Sequence, residues 1–180
     1  MDKKPVRIFG YGSLLSENSL RGTVPSARNI KPVRLYGFVR VFNFPGSTRV
    51  CEQSGVPIAV LNVEKSEWNQ CINGIVFEMD EEDLDKLITR EQGYELVQVE
   101  VEDYHNKNNK MKAHFFRTPH YEAYPYQFES EEQRCYLDLC FEGCEVFGEE
   151  FLEEFVKTTY IDDKTMDEHD HHMIKKDKKN

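Results

Sequence analysis

No apolar run in this 180-residue chain comes near the roughly 20 residues that a membrane-spanning helix needs. The start, Met1-Asp2-Lys3-Lys4-Pro5, has no apolar leader, so the cytoplasm is the expected compartment. Basic residues are in deficit, 23 Lys and Arg against 33 Asp and Glu, for a net charge of −10. Nucleic acid and anionic membrane both require basic surface, so neither is an expected partner. The cysteines, at 51, 71, 135, 140 and 144, are odd in number and include no Cys-x-x-Cys, which argues against a disulfide framework. Cys140 and Cys144 fall on the apolar face of a helical pattern and read as small buried hydrophobes. Cys51 stands two residues after Arg49 in a loop, where a cation favours the thiolate.

What is present fits one domain. The hydrophobic fraction of 39% is enough for a core at this length. Six stretches read as strands, roughly 5–9, 33–44, 58–63, 72–79, 95–103 and 111–117. Alternation is plain in Val97-Gln98-Val99-Glu100-Val101-Glu102. The long run from Leu35 to Phe44 holds Gly37, which marks a bend or bulge. Helices are expected at about 80–90, 131–143 and 149–160. Strands followed by appended helices predict an α+β fold with a curled, barrel-like sheet. The domain is expected over residues 1–161. The charged stretch 162–180 reads as a mobile, dispensable tail, since Met166, Met173 and Ile174 are its sizeable apolar residues. His169, His171 and His172 lie in it beside acids; a solvated tail or a weak transition-metal site both fit that pattern. Tyr121, Tyr124, Tyr126 and Phe128 form an aromatic cluster that either covers the barrel or rims a pocket.

Two stretches carry chemistry. The first is Phe9-Gly10-Tyr11-Gly12-Ser13-Leu14-Leu15, directly after the apolar Val6-Arg7-Ile8. A strand delivers the chain to two glycines, which let other atoms approach the backbone and let N–H groups turn inward as a nest. The spacing is neither a P-loop nor a dinucleotide fingerprint. A plain strand-to-helix turn is the alternative. The second stretch is Asp80 to Glu91. Asp80 is the candidate N-cap, and Leu84, Leu87 and Ile88 share one apolar face. Glu91 is next on that face, at the helix C-terminus, so burial and the dipole both raise its pKa. Such a carboxylate suits general acid/base work near neutral pH. The alternative is a glutamate that snorkels to water or pairs with Arg90.

The glycine loop resembles the signature of the γ-glutamylcyclotransferase superfamily, which includes ChaC-type glutathione-degrading enzymes and γ-glutamylamine cyclotransferases. Arg90-Glu91-Gln92-Gly93-Tyr94 resembles the segment in which that family carries its single catalytic glutamate. Tyr136-Leu137-Asp138-Leu139-Cys140-Phe141-Glu142-Gly143-Cys144 resembles its late helix, with Cys144 in place of an alanine. The resemblance spans roughly residues 6–160 and implies a small mixed β-barrel with a few peripheral helices.

It also implies a reaction. The α-amine of a γ-glutamyl compound attacks its own γ-carbonyl, closing 5-oxoproline and releasing the γ-linked amine. The nucleophile belongs to the substrate, so the resemblance implies no metal and no cofactor. Glu91 would be base and then acid. The backbone of Tyr11, Gly12, Ser13 and Leu14 would bind the γ-glutamyl carboxylate or carbonyl. Tyr136 would touch substrate through its hydroxyl; a core tyrosine with a satisfied hydroxyl is the other reading. Arg40 and Arg49 are either substrate-carboxylate partners or surface residues. The different class of function to weigh is a non-catalytic small-molecule binding or interaction protein of the same fold, for which a buried Glu91 has no use.

Overall fold

The structure is a computed structural model that describes residues 4–119 and 124–169. Nine strands and four helices follow in the order β1 (Val6–Gly10), α1 (Glu17–Thr23), β2 (Arg28–Tyr36), β3 (Phe38–Val50), β4 (Pro57–Lys65), β5 (Cys71–Met79), α2 (Leu84–Arg90), β6 (Glu95–Asp103), β7 (Lys110–Arg117), α3 (Glu131–Glu145), α4 (Glu149–Lys157), β8 (Thr159–Ile161) and β9 (Lys164–Thr165) among the described residues. Five strands close a barrel in the order β1-β5-β2-β6-β7. Four of its pairings are antiparallel, and the parallel pairing of Ile8 with His114 closes it, so the barrel is mixed. A second sheet runs β4-β3-β8-β9 beside it. The α+β barrel with peripheral helices is therefore the observed architecture.

Burial explains the strands. Val97, Val99 and Val101 turn inward on β6 while Gln98 and Glu100 face water. Ile8 and Phe9, adjacent on β1, are both buried, because that strand has packed neighbours on both faces. The run expected as one strand over 33–44 is two. Gly37, at φ +85°, lets the chain leave the barrel after β2 and enter the second sheet as β3. Shifts in register between Phe42 and Phe44 and between Pro45 and Val50 bend the end of β3.

The helical expectations need three adjustments. A short helix, α1, stands where none was expected; Leu20 is its one buried residue, and Ser16 caps it by accepting the Ser19 N–H at 3.3 Å. Asp80 does not cap through its side chain, which instead pairs with Arg28 at 2.9 Å. Leu87 is buried on α2 but Ile88 is 45% exposed, so the apolar face is narrower than the spacing implied.

Order also extends past residue 161. The chain turns back at Asp162, pairs β9 with β8, and buries Met166 to 2% exposure. His169 lies against Phe128 and contacts the Ile161 carbonyl through Nε2 at 2.8 Å. The boundary expected at 161 thus shifts to beyond Met166, while His171, His172, Met173 and Ile174 lie outside the described residues. Met166→Ala is expected to cost about 2–4 kcal/mol in a denaturant titration. A loss under 0.5 kcal/mol would return residue 166 to the dispensable tail. For the same reason, truncation from residue 165 is expected to destabilise the fold.

Candidate active site

The chain leaves β1 at Gly10 and enters a 3₁₀ turn at Ser13–Leu15, whose first internal hydrogen bond runs from Leu15 N–H to the Gly12 carbonyl at 2.9 Å. The N–H groups of Gly12, Ser13 and Leu14 precede that bond and have no partner inside the turn. Helix α3 supports the turn from behind. A Cβ on Gly143 would lie 2.4 Å from the carbonyl carbon and oxygen of Leu15, so only glycine allows this approach.

The loop forms one wall of a cavity of about 420 Å³, within the range of small-molecule sites. Tyr11, Gly12, Ser13, Leu14, Glu91 and Tyr136, six residues from three distant parts of the sequence, all line it. Glu91 sits at the C-terminal end of α2 with its side chain 16% exposed. Burial pushes its carboxyl up to about 7, and the Arg90 guanidinium, 3.9 Å away, opposes this.

Arg90 does more than pair with its neighbour. It donates to the Ser19 carbonyl at 2.7 Å, to Ser19 Oγ at 2.7 Å, to Thr23 Oγ1 at 3.0 Å and to Ser13 Oγ at 3.2 Å. One guanidinium thereby ties α1 and the glycine loop to the end of α2. With its donors spent on neutral acceptors, it neutralises Glu91 weakly, which is why desolvation wins.

Tyr136 reaches the cavity from α3. Its Oη accepts the Leu61 N–H at 3.1 Å and lies 3.2 Å from where a Gly12 Cβ would stand. The phenol is thus held as an acceptor while its own proton is left to turn toward the loop. Burial keeps that phenol neutral, well above the usual tyrosine range. Tyr11 is different. Its ring turns into the barrel and its hydroxyl donates to the Phe116 carbonyl at 2.5 Å, so its backbone is the part that belongs to the loop.

The two arginines separate. Arg40 is fully buried between the sheets, which overturns the surface reading. It donates to Thr159 Oγ1 at 2.9 Å and to the Asn73 carbonyl, and lies 4.2 Å over the Phe155 ring. Burial pulls its pKa down to about 10. It does not line the cavity. Arg49 does, with its guanidinium 5.5 Å over the Tyr136 ring and 3.3 Å from Glu132.

Other candidates fall away from the site. Tyr126 packs on Phe42 and Phe128, and Tyr124 donates to the Pro57 carbonyl, so this part of the aromatic cluster covers the second sheet; Tyr121 lies outside the described residues. Hydrogen bonds from Ser54 and the backbone of Gln53 and Ser54 lower the Cys51 thiol, which lies outside the cavity lining. Cys140 and Cys144 are buried in the core. Among the described residues no group of three His, Cys, Asp or Glu is placed to hold a metal ion, and no helix is long and apolar enough to cross a membrane.

Sequence reasoning did not assign Arg90 or Tyr94 to the site, although both flank Glu91 in the same pentapeptide. Phe44, Ser47 and Thr48 on β3 were also missed, and nothing local marks them; Arg49 beside them, a candidate substrate-carboxylate partner from the sequence, does line the cavity.

Comparison with known proteins bears on the family and the fold. Residues 6–178 match the family described as ChaC-like protein. No curated protein matches the sequence. The fold is similar to a solved structure named γ-glutamyl cyclotransferase, at 19% identity and TM-score 0.68, over 98% of this chain and all of that one. It is equally similar to an uncharacterized protein from Homo sapiens, at 20% identity and TM-score 0.69 over the same shares. A γ-glutamyl cyclotransferase specific to glutathione from yeast superposes at 15% identity and TM-score 0.62, over 94% of this chain and 99% of that one. At these identities the structures speak for the fold, and the match over residues 6–178 decides the family: the chain belongs to the ChaC-like proteins.

Proposed function

We propose that this protein is a γ-glutamyl cyclotransferase that releases 5-oxoproline together with an amine, amino acid or dipeptide. One observation carries the reading. A largely buried carboxylate, its side chain 16% exposed and its pKa raised to about 7, faces, across a single cavity, a glycine loop whose N–H groups have no partner inside their own turn. A binding module gains nothing from burying Glu91, whereas a proton shuttle requires it.

The steps follow from the residues. The N–H groups of Gly12, Ser13 and Leu14 hold a carboxylate or carbonyl oxygen of the γ-glutamyl group and curl it so that its α-amine meets the γ-carbonyl. Glu91 takes a proton from the amine as the new C–N bond forms. The tetrahedral oxyanion is held by the loop and by the Tyr136 hydroxyl. Glu91 then returns the proton to the departing nitrogen as the old C–N bond breaks. Proton and electron pairs balance without a cofactor, because nucleophile and leaving group are both parts of the substrate.

The direct test offers glutathione, several γ-glutamyl amino acids and γ-glutamyl-ε-lysine, and measures 5-oxoproline. Glutathione comes first because the yeast structure of the same fold is named as specific to it. No 5-oxoproline from any of them would reject the reading. Tyr136→Phe is expected to lower kcat on the order of 10²-fold, as loss of one oxyanion donor does. A change under threefold would make Tyr136 a core tyrosine. The pH dependence has a definite sign. A base must be ionised to act, so kcat/KM is expected to fall tenfold per unit below about pH 7, where Glu91 takes up its proton. A rate that is level down to pH 5 would place the base elsewhere.

A further inference from the structure

We propose that Tyr94 is the positioning residue for Glu91: its hydroxyl pins the turn that carries the carboxylate to the edge of β4 and so sets the carboxylate against the glycine loop. The inference rests on the reading of Glu91 as proton shuttle, yet its geometric part stands without any substrate.

Helix α2 is only seven residues long and anchors itself poorly. Leu87 is its one buried residue, and Ile88 faces water. Glu91 is the residue at its end, where fraying begins. The chain then makes a four-residue turn, closed by the Tyr94 N–H donating to the Glu91 carbonyl at 3.1 Å, with Gly93 at φ +97° inside it. Something outside the helix must hold that turn still. Arg90 holds it on the side of α1. On the opposite side the holder is Tyr94. Its hydroxyl donates to the Leu61 carbonyl at 2.7 Å, and its ring lies 4.7 Å from that of Phe44.

Leu61 is the common point. Its carbonyl takes the Tyr94 hydroxyl, and its N–H gives to Tyr136 Oη at 3.1 Å. Both groups of one strand residue point to the same edge, here the edge of β4 that faces the cavity. A hydrogen-bonded path therefore runs from the Glu91 turn through Tyr94 and Leu61 to Tyr136, whose Oη stands beside Gly12, 3.2 Å from where a Cβ there would lie. It fixes the span from carboxylate to loop. Without the Tyr94 hydroxyl, that path is broken, a buried Leu61 carbonyl loses its partner, and the turn is free to swing toward water.

The charge environment predicts what a swing would do. The groups near Glu91 are Arg90 on α2, Tyr11 in the loop, Tyr94 itself and Tyr136 on α3, with Arg49 of β3 over the Tyr136 ring. The three phenols are held neutral by burial, so Arg90 is the one direct charge and it lowers the carboxyl pKa. Only desolvation raises it. A turn that moves outward loses desolvation and keeps Arg90 alongside, so the carboxyl drops toward the ordinary range.

The test is Tyr94→Phe, which keeps the ring against Phe44 and removes one oxygen. Expected are a fall of about 10–100-fold in kcat, as a displaced catalytic group produces, a KM within about threefold because the loop still binds, and an acid limb of kcat/KM moved down by about one pH unit or more. An NMR titration of the Glu91 carboxyl in the substrate-free variant is expected to show the same downward move from the parent. A purely packing role leaves both titrations where they were, since the ring remains. An unmoved Glu91 titration therefore overturns the proposal, whatever happens to kcat. If the parent forms no 5-oxoproline, the cyclotransferase reading fails on its own, and the NMR comparison still decides whether Tyr94 positions Glu91.

Discussion

Glu91→Gln is expected to lower kcat for 5-oxoproline release by at least ~10²-fold, with the protein folded and more stable than its parent above neutral pH. Glutamine fills nearly the same volume but cannot carry the proton. Arg90 keeps its four hydrogen bonds to α1 and Ser13, so the site does not collapse. The stability gain follows from linkage. The Glu91 carboxyl titrates near 4.5 in the unfolded chain and at about 7 in the fold. Between those values the native state binds more protons than the unfolded state, so native stability falls as pH rises through the window. The full effect is on the order of 3 kcal/mol and is present above pH 7. Glutamine is neutral at every pH and does not carry this cost. Melting curves at pH 8 and pH 5 are expected to show the variant well above the parent at pH 8 and close to it at pH 5. Activity within a few-fold of the parent would remove Glu91 from its role. A variant less stable than the parent at pH 8 would show that the ionised pair with Arg90 outweighs desolvation.

Gly143→Ala is expected to damage the site from behind, without touching the cavity. The added methyl would stand 2.4 Å from the Leu15 carbonyl group and 2.7 Å from Leu15 Cβ. Backbone meets backbone there, so no side chain can rotate away. Either α3 or the Ser13–Leu15 turn must move, at a cost of about 1–3 kcal/mol. Either movement shifts the loop N–H groups, or Tyr136, relative to Glu91, and kcat/KM is expected to drop at least ~10-fold. Gly22 on α1 provides the stability comparison. Nothing lies within 4 Å of where its Cβ would be, so alanine there is expected to leave stability level or raise it by up to about 1 kcal/mol. Equal melting temperatures for the parent and Gly143→Ala would mean that α3 and the loop do not pack as closely as described.

The parts of the site that were legible in the sequence are those encoded within a few consecutive residues. Two glycines around Tyr11 after an apolar run specify a strand ending in a loop, wherever the rest of the chain goes. The 3.6-residue period placed Glu91 in line with Leu87, and the structure buries Leu87 fully and leaves the Glu91 side chain 16% exposed. Alternation along β6 was legible for the same reason, since its faces differ in polarity residue by residue.

Where the outcome hung on distant partners, local reading fell short. Arg40 looks like any strand arginine; it is buried because Thr159, Asn73 and Phe155, far off in sequence, surround it. Helix α1 has a single buried side chain, too little for a periodic signal, and is held instead by the Ser16 cap and by Arg90 from 67 or more positions away. After residue 161, Met166 is visible in the sequence as an apolar side chain but reads as too little to dock the tail; the structure buries it where β8 and β9 pair, a contact that local composition does not show.

By itself the sequence determined a strand, a glycine loop and a carboxylate aligned with apolar neighbours, because those depend on conformational freedom and hydrophobic period over short spans. Only the tertiary structure decided that loop and carboxylate share one cavity, that Arg49 faces it while Arg40 does not, and that Tyr94 and Tyr136 meet on the two polar groups of Leu61. Those relations come from closing a five-stranded barrel and laying a second sheet beside it. Such pairings join residues dozens of positions apart, and no local pattern carries them.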